Sequence, residues 1–119
     1  MKITLHIKTT SHDTRPAAGP VIDAYTITAC DWAEGEPNAR DEAETVLALW
    51  NRGDLDVLNN FAAAAMGGHL KRTLHLSRGR IEQLLDHIPF PQWNWDPSTA
   101  TMVMLTERHK ITINARLTA

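Results

Sequence analysis

Lys2-Ile3-Thr4-Leu5-His6-Ile7-Lys8-Thr9, near one end of the chain, and Lys110-Ile111-Thr112-Ile113-Asn114-Ala115-Arg116-Leu117, near the other, decide the fold. In both stretches apolar and polar residues alternate. Ile3, Leu5 and Ile7 fall on one side, and Lys2, Thr4, His6 and Lys8 on the other. Ile111, Ile113, Ala115 and Leu117 likewise oppose Lys110, Thr112, Asn114 and Arg116. A period of two is that of a strand with one buried and one solvated face. Residues 21–30, rich in Val, Ile, Tyr and Thr, read as a further strand paired with the first. Residues 100–106 set Met102 and Met104 against Val103 and Leu105, with a hairpin turn expected at Glu107-Arg108-His109.

Between these strands the period changes. Asn38 stands as an N-cap before Ala39, Ala43, Val46, Leu47 and Trp50, which share one helical face. Asp41, Glu42 and Glu44 lie where the helix dipole favours acids, and Gly53 is placed to end the helix. Asp54 caps a second helix with Leu55, Leu58, Phe61, Ala62 and Ala65 inward, and Gly67-Gly68 is expected to end it. Residues 69–77 fit a strand (Leu70, Leu74 and Leu76 against His69, Lys71, Thr73 and His75) and also a helical series. Ser77 precedes a short helix bearing Ile81, Leu84, Leu85 and Ile88, stopped by Pro89 and Pro91. Residues 10–20, 33–37 and 89–98 read as connections. The expectation is an α+β fold over residues 1–119, one domain. An antiparallel sheet of about four to five strands comes from the N- and C-terminal segments, with two to three central helices on one face.

The 119 residues carry a formal net charge of −2, but the charge is sorted along the chain. Residues 31–56 hold eight of the fourteen acids and only Arg40 and Arg52. Residues 57–81 hold no acid and carry Lys71, Arg72, Arg78 and Arg80. The two blocks either face each other, with Arg72, Arg78 and Arg80 paired to Glu42, Glu44, Asp54 or Asp56, or face outward to a charged partner. A single cysteine, Cys30, excludes an internal disulfide, and no spacing of Cys or His suggests zinc. No apolar run approaches a membrane span. No cofactor, metal or membrane partner is implied, and a reducing, cytoplasmic setting is expected.

These features point to a small non-catalytic interaction module that meets a protein partner by charged-surface contact, an inhibitor or accessory protein of the kind phages and bacteria encode. The expected contact residues are Lys71, Arg72, Arg78 and Arg80, the connection acids Glu34 and Glu36, and Trp93 and Trp95. Two tryptophans in a Pro-stiffened loop suit an interface anchor. They are expected to point to opposite sides, one into the core edge. An exposed strand edge would permit a homodimer.

Two alternatives stand beside this reading. Nucleic acid is the partner if the basic segment 69–80 forms a phosphate-binding face, or if Ser77-Arg78-Gly79-Arg80 opens the recognition helix of a winged-helix arrangement. Separately, His12-Asp13-Thr14 and His75-Leu76-Ser77 fit a loose H-x-[ST] pattern that resembles the paired motifs of two-histidine phosphoesterases. That resemblance implies that both histidines act on a phosphate ester. It covers six residues, and Asp13 stands where the family carries an apolar residue.

Overall fold

In a computed structural model, residues 1–11, 21–74, 77, 79–80, 83, 93–105 and 109–118 are described. The order of elements is β1 (Lys2–Ser11), β2 (Val21–Asp31), α1 (Ala39–Asn51), α2 (Leu55–Leu74), β3 (Trp93–Asp96), β4 (Thr101–Leu105) and β5 (His109–Thr118). The five strands form one antiparallel sheet in the order β2-β1-β5-β4-β3. The two terminal strands, whose alternation is cleanest, lie side by side in its middle. The α+β architecture expected from the sequence is the one observed.

Alternation places the core. Ile3, Leu5 and Ile7 of β1, Met102 and Met104 of β4, and Ile111 and Ile113 of β5 are buried on one face. Both helices lie over that face. They contribute Trp50, Leu58, Phe61, Ala62, Ala65 and Met66 to the same cluster. Small residues on α2 let it lie close to the sheet. Gly68 is the extreme case: a Cβ there would sit 3.0 Å from Cγ2 of Ile27 and 3.5 Å from Cε2 of Tyr25. This close approach explains why Gly67-Gly68 does not end α2. The helix runs six residues further, through His69 and Arg72, to Leu74. The strand reading of 69–76 fails with it: Lys71 and Arg72 are adjacent exposed helical residues, while His69 is buried at 7% exposure.

Other local expectations need correcting. Asn38 occupies the N-cap position of α1 but with φ 64°, and its side chain makes no capping bond. Leu55, expected inward, is 66% exposed in the first turn of α2. Residues 93–96 are not loop but strand β3, held in register by Trp93 opposite Met104 and Trp95 opposite Met102. Residues two apart on a strand share a face. Trp93 and Trp95 therefore both point to the core side instead of diverging, and Asn94 and Asp96 point away. His109 belongs to β5 and not to a turn.

Two terminations follow their sequence signals closely. Gly53 adopts φ 73°, its N–H donates to the Trp50 carbonyl at 3.0 Å, and the Asp54 N–H donates to the Leu49 carbonyl at 3.0 Å. This pair of bonds is the Schellman arrangement. Asp54 then caps α2, its Oδ1 accepting from the Val57 N–H at 3.1 Å. At Ser77, Oγ accepts the Arg80 N–H at 3.3 Å. Thr10 and Ser11, expected in a loop over 10–20, belong to β1; the rest of that loop, the apolar positions of a helix at 81–88, Pro89 and Pro91 lie outside the described residues. So do Arg78 and both proposed histidine motifs, except for Ser77.

β2 carries one extra residue at each end relative to β1. Register slips at Ala29, between the Ile3–Cys30 and Thr4–Thr28 pairs, and at Ile22, between Thr9–Asp23 and Thr10–Val21. These are bulges that frame a regular stretch, Asp23 to Thr28.

Candidate functional site

β2 ends the sheet, so no described strand pairs with its outer side. Among the described residues, a cavity of about 480 Å³ lies along this edge. It is lined by Asp23, Tyr25, Thr26 and Ile27 of β2 and by Lys71 and Arg72 of α2. The strand forms one side and the last turns of α2 the other.

Parity on β2 builds this groove. Asp23, Tyr25 and Ile27 share the side that faces α2, and Thr26 and Thr28 share the opposite, exposed one. Arg72 reaches across to Asp23 in a two-pronged pair, Nε to Oδ2 at 2.6 Å and Nη2 to Oδ1 at 2.7 Å. Its guanidinium carbon also lies 4.4 Å from the centroid of the Tyr25 ring. The guanidinium holds the Asp23 carboxyl below the usual carboxylate range. Burial pushes the Tyr25 phenol up to about 12, so Tyr25 is a neutral hydroxyl at any physiological pH. That hydroxyl oxygen is buried and has no hydrogen-bond partner among the described residues.

The Asp23–Arg72 bridge also borders a second, smaller cavity of about 290 Å³, lined by Thr9, Ile22, Asp23, His69, Arg72 and His109. His69 and His109 meet edge to face with ring centroids 5.5 Å apart. Burial lowers the His69 pKa, helped by His109 and opposed by Asp23. Thr9 is 3% exposed, and its Oγ1 has no partner. No set of three or more His, Cys, Asp and Glu suited to a metal ion occurs among the described residues.

The expected contact residues are thus dispersed. Lys71 and Arg72 come together on the groove. Arg80 is exposed, with its Nη1 donating to Gln83 Oε1 at 3.3 Å. Glu34 and Glu36 are exposed in the connection between β2 and α1, where Glu36 Oε2 accepts the Ala33 N–H at 3.2 Å. Trp93 and Trp95 lie across the sheet at the opposite edge, packed against the core. Of the two arrangements left open for the charged blocks, pairing with each other is not seen among the described residues. Among the described residues the ion pairs are Arg72–Asp23 and Arg40–Glu44, and neither joins the two blocks.

Sequence reasoning missed Tyr25, Asp23, Thr9 and His109. The signal was present, because each continues the core-facing parity of its strand with a polar group: Thr9 after Ile3, Leu5 and Ile7, and His109 before Ile111 and Ile113.

No family model, curated protein or solved structure matches this chain. Its function is therefore read from the chemistry of its own surfaces. No helix among the described residues is long and apolar enough to cross a membrane.

Proposed function

We propose that this protein is a non-catalytic interaction module that holds an extended, acidic segment of a protein partner along the outer edge of β2. The groove between β2 and α2 carries this reading. An added strand would bond to the outward backbone groups of β2. Its inward side chains would meet Tyr25 and Ile27, and its acidic ones would meet Lys71 and the outer face of Arg72. Lys71 and Arg72, two of the four basic residues expected at a contact, line this groove. An inhibitor or accessory role follows if the captured segment is one the partner needs. The half-buried free thiol of Cys30 suits the reducing, cytoplasmic setting expected from the sequence.

Selection of displayed peptides against the intact chain tests the assignment, followed by backbone amide exchange on the tightest binder. Enriched peptides should alternate apolar and acidic residues, and outward amides of Asp23 to Thr28 should gain protection. Lys71→Glu should weaken binding by about tenfold or more. Peptides that bind while leaving β2 exchange unchanged would remove the groove as the site.

A further inference from the structure

The face of the sheet turned away from the helices shows an order that the linear charge count hides. Its rows follow from the strand registers. From one end to the other they run Asp31-Lys2-Thr118, then Thr28-Thr4-Arg116, then Thr26-His6-Asn114-Thr101-Asp96. The fourth is Ala24-Lys8-Thr112-Val103-Asn94, and the last is Thr10-Lys110-Leu105 flanked by the β2 bulge. Four of the five rows carry one fixed cation, Lys2, Arg116, Lys8 and Lys110, and the middle row carries His6. All five stand on the two central strands, β1 and β5. Of the carboxylates on this face among the described strand residues, both lie on edge strands, Asp31 on β2 and Asp96 on β3. The Asp96 carboxylate is engaged by the Ser98 hydroxyl at 2.7 Å and the Ser98 N–H at 3.0 Å.

The result is a basic band that steps between the paired strands β1 and β5, one row about every 6.7 Å at two residues per row, and about 27 Å long. Hydroxyl side chains border it: Thr4, Thr10, Thr28, Thr112 and Thr118. Lys2, Lys8, Lys110 and Arg116 are all exposed. Asp41, Glu42 and Glu44 of α1 lie in the helical layer, on the other side of the sheet.

We propose that this stripe binds the phosphate backbone of double-stranded nucleic acid without reading its sequence. Lys, Arg and Thr are backbone-contacting residue types, and a row of fixed cations matches a polymer of fixed anions. Lysine is depleted in protein interfaces and aromatic residues are enriched there, so the face is a poor fit to a protein partner. Every aromatic residue of the described strands, Tyr25, Trp93 and Trp95, is on the core side. The stripe therefore lacks the stacking platform that single-strand binders use. The surface is separate from the basic segment 69–80 and from the β2 groove.

Fluorescence polarisation with a labelled 20-base-pair duplex and the matching single strand, over a salt series, decides this. The duplex should bind more tightly than the single strand, without sequence preference. The slope of log affinity against log salt should be about −3.6, from four phosphate contacts. Lys8→Ala/Lys110→Ala and, independently, Lys2→Ala/Arg116→Ala should each reduce the slope by about 2, with circular dichroism and urea midpoint confirming an intact fold. A slope near zero, or either variant binding as wild type does, overturns the proposal. Loss of binding in Lys71→Ala alone would move the site to α2. Tighter binding of the single strand, or equal competition by poly-L-glutamate, would show a different occupant. Peptide binding at the β2 edge should persist in all four-strand-face substitutions, so the two assignments fail separately.

Discussion

The two edges of the sheet close the same core in opposite ways. One row of core-facing residues runs Tyr25-Ile7-Ile113-Met102-Trp95, and the next runs Asp23-Thr9-Ile111-Met104-Trp93. At the β3 edge both rows end in indole. Trp95 meets Trp50 edge-on at 4.9 Å, and the fully buried Trp50 donates from Nε1 to the Ala100 carbonyl at 3.1 Å. Apolar area is covered there, and the indole N–H of Trp50 is satisfied. At the β2 edge the rows end in a phenol and a carboxylate, with two buried hydroxyls unpartnered and an ion pair at the surface. Stability is concentrated at the first edge and unspent bonding capacity at the second.

Removing the aromatic anchor should break the comparison most visibly. Trp50→Ala empties the space between Phe61 and Trp95, and a buried Trp→Ala change costs ~3–5 kcal/mol. Urea unfolding should show a correspondingly lower midpoint. Next, Gly53→Ala should cost ~1–2 kcal/mol for the left-handed backbone alone. The added methyl would also approach Nε1 of Trp95 to 2.8 Å. The same unfolding assay should therefore place this change at a helix end well above an ordinary surface substitution.

The smallest effect belongs to the polar edge and appears in pH. Burial holds the His69 pKa below its ordinary value of 6.5, so the folded state takes up its proton at lower pH than the unfolded state. The resulting stability is complete above about pH 6.5 and falls away as pH drops below it. His109 and Asp23 face the same ring and modulate the shift in opposite senses. Urea midpoints at pH 7.5 and 5.5 should differ for the wild type, and the difference should shrink in His69→Leu. Equal midpoints for the wild type would mean that His69 carries no such coupling.

The strands were legible where a solvated face enforced alternation, hence β1 and β5. Helix starts and stops were legible where one residue does one job, as at Gly53 and Asp54. Reading failed where a residue answers to a distant neighbour. Gly68 is glycine because Ile27 approaches it, which no local pattern reveals. Strand β3 was hidden by its four-residue length and flanking prolines. At the groove, Lys71 and Arg72 stood out as charge, but Tyr25 and Asp23 gain their meaning only from α2 crossing over them. The stripe on the open face was invisible to a count by segment, because β1 and β5 contribute to it from chain ends whose charges nearly cancel.

The two bulges of β2 act as a ruler. A strand that adds to this edge finds a regular ladder only from Asp23 to Thr28, six residues or about 20 Å. Past either bulge the backbone swings out of register, so a longer guest gains nothing from its extra length. The same limit works against open-ended stacking of sheet upon sheet, the hazard of any bare edge. On the proposed reading, one short strand would be accepted without the edge becoming a template for a fibre.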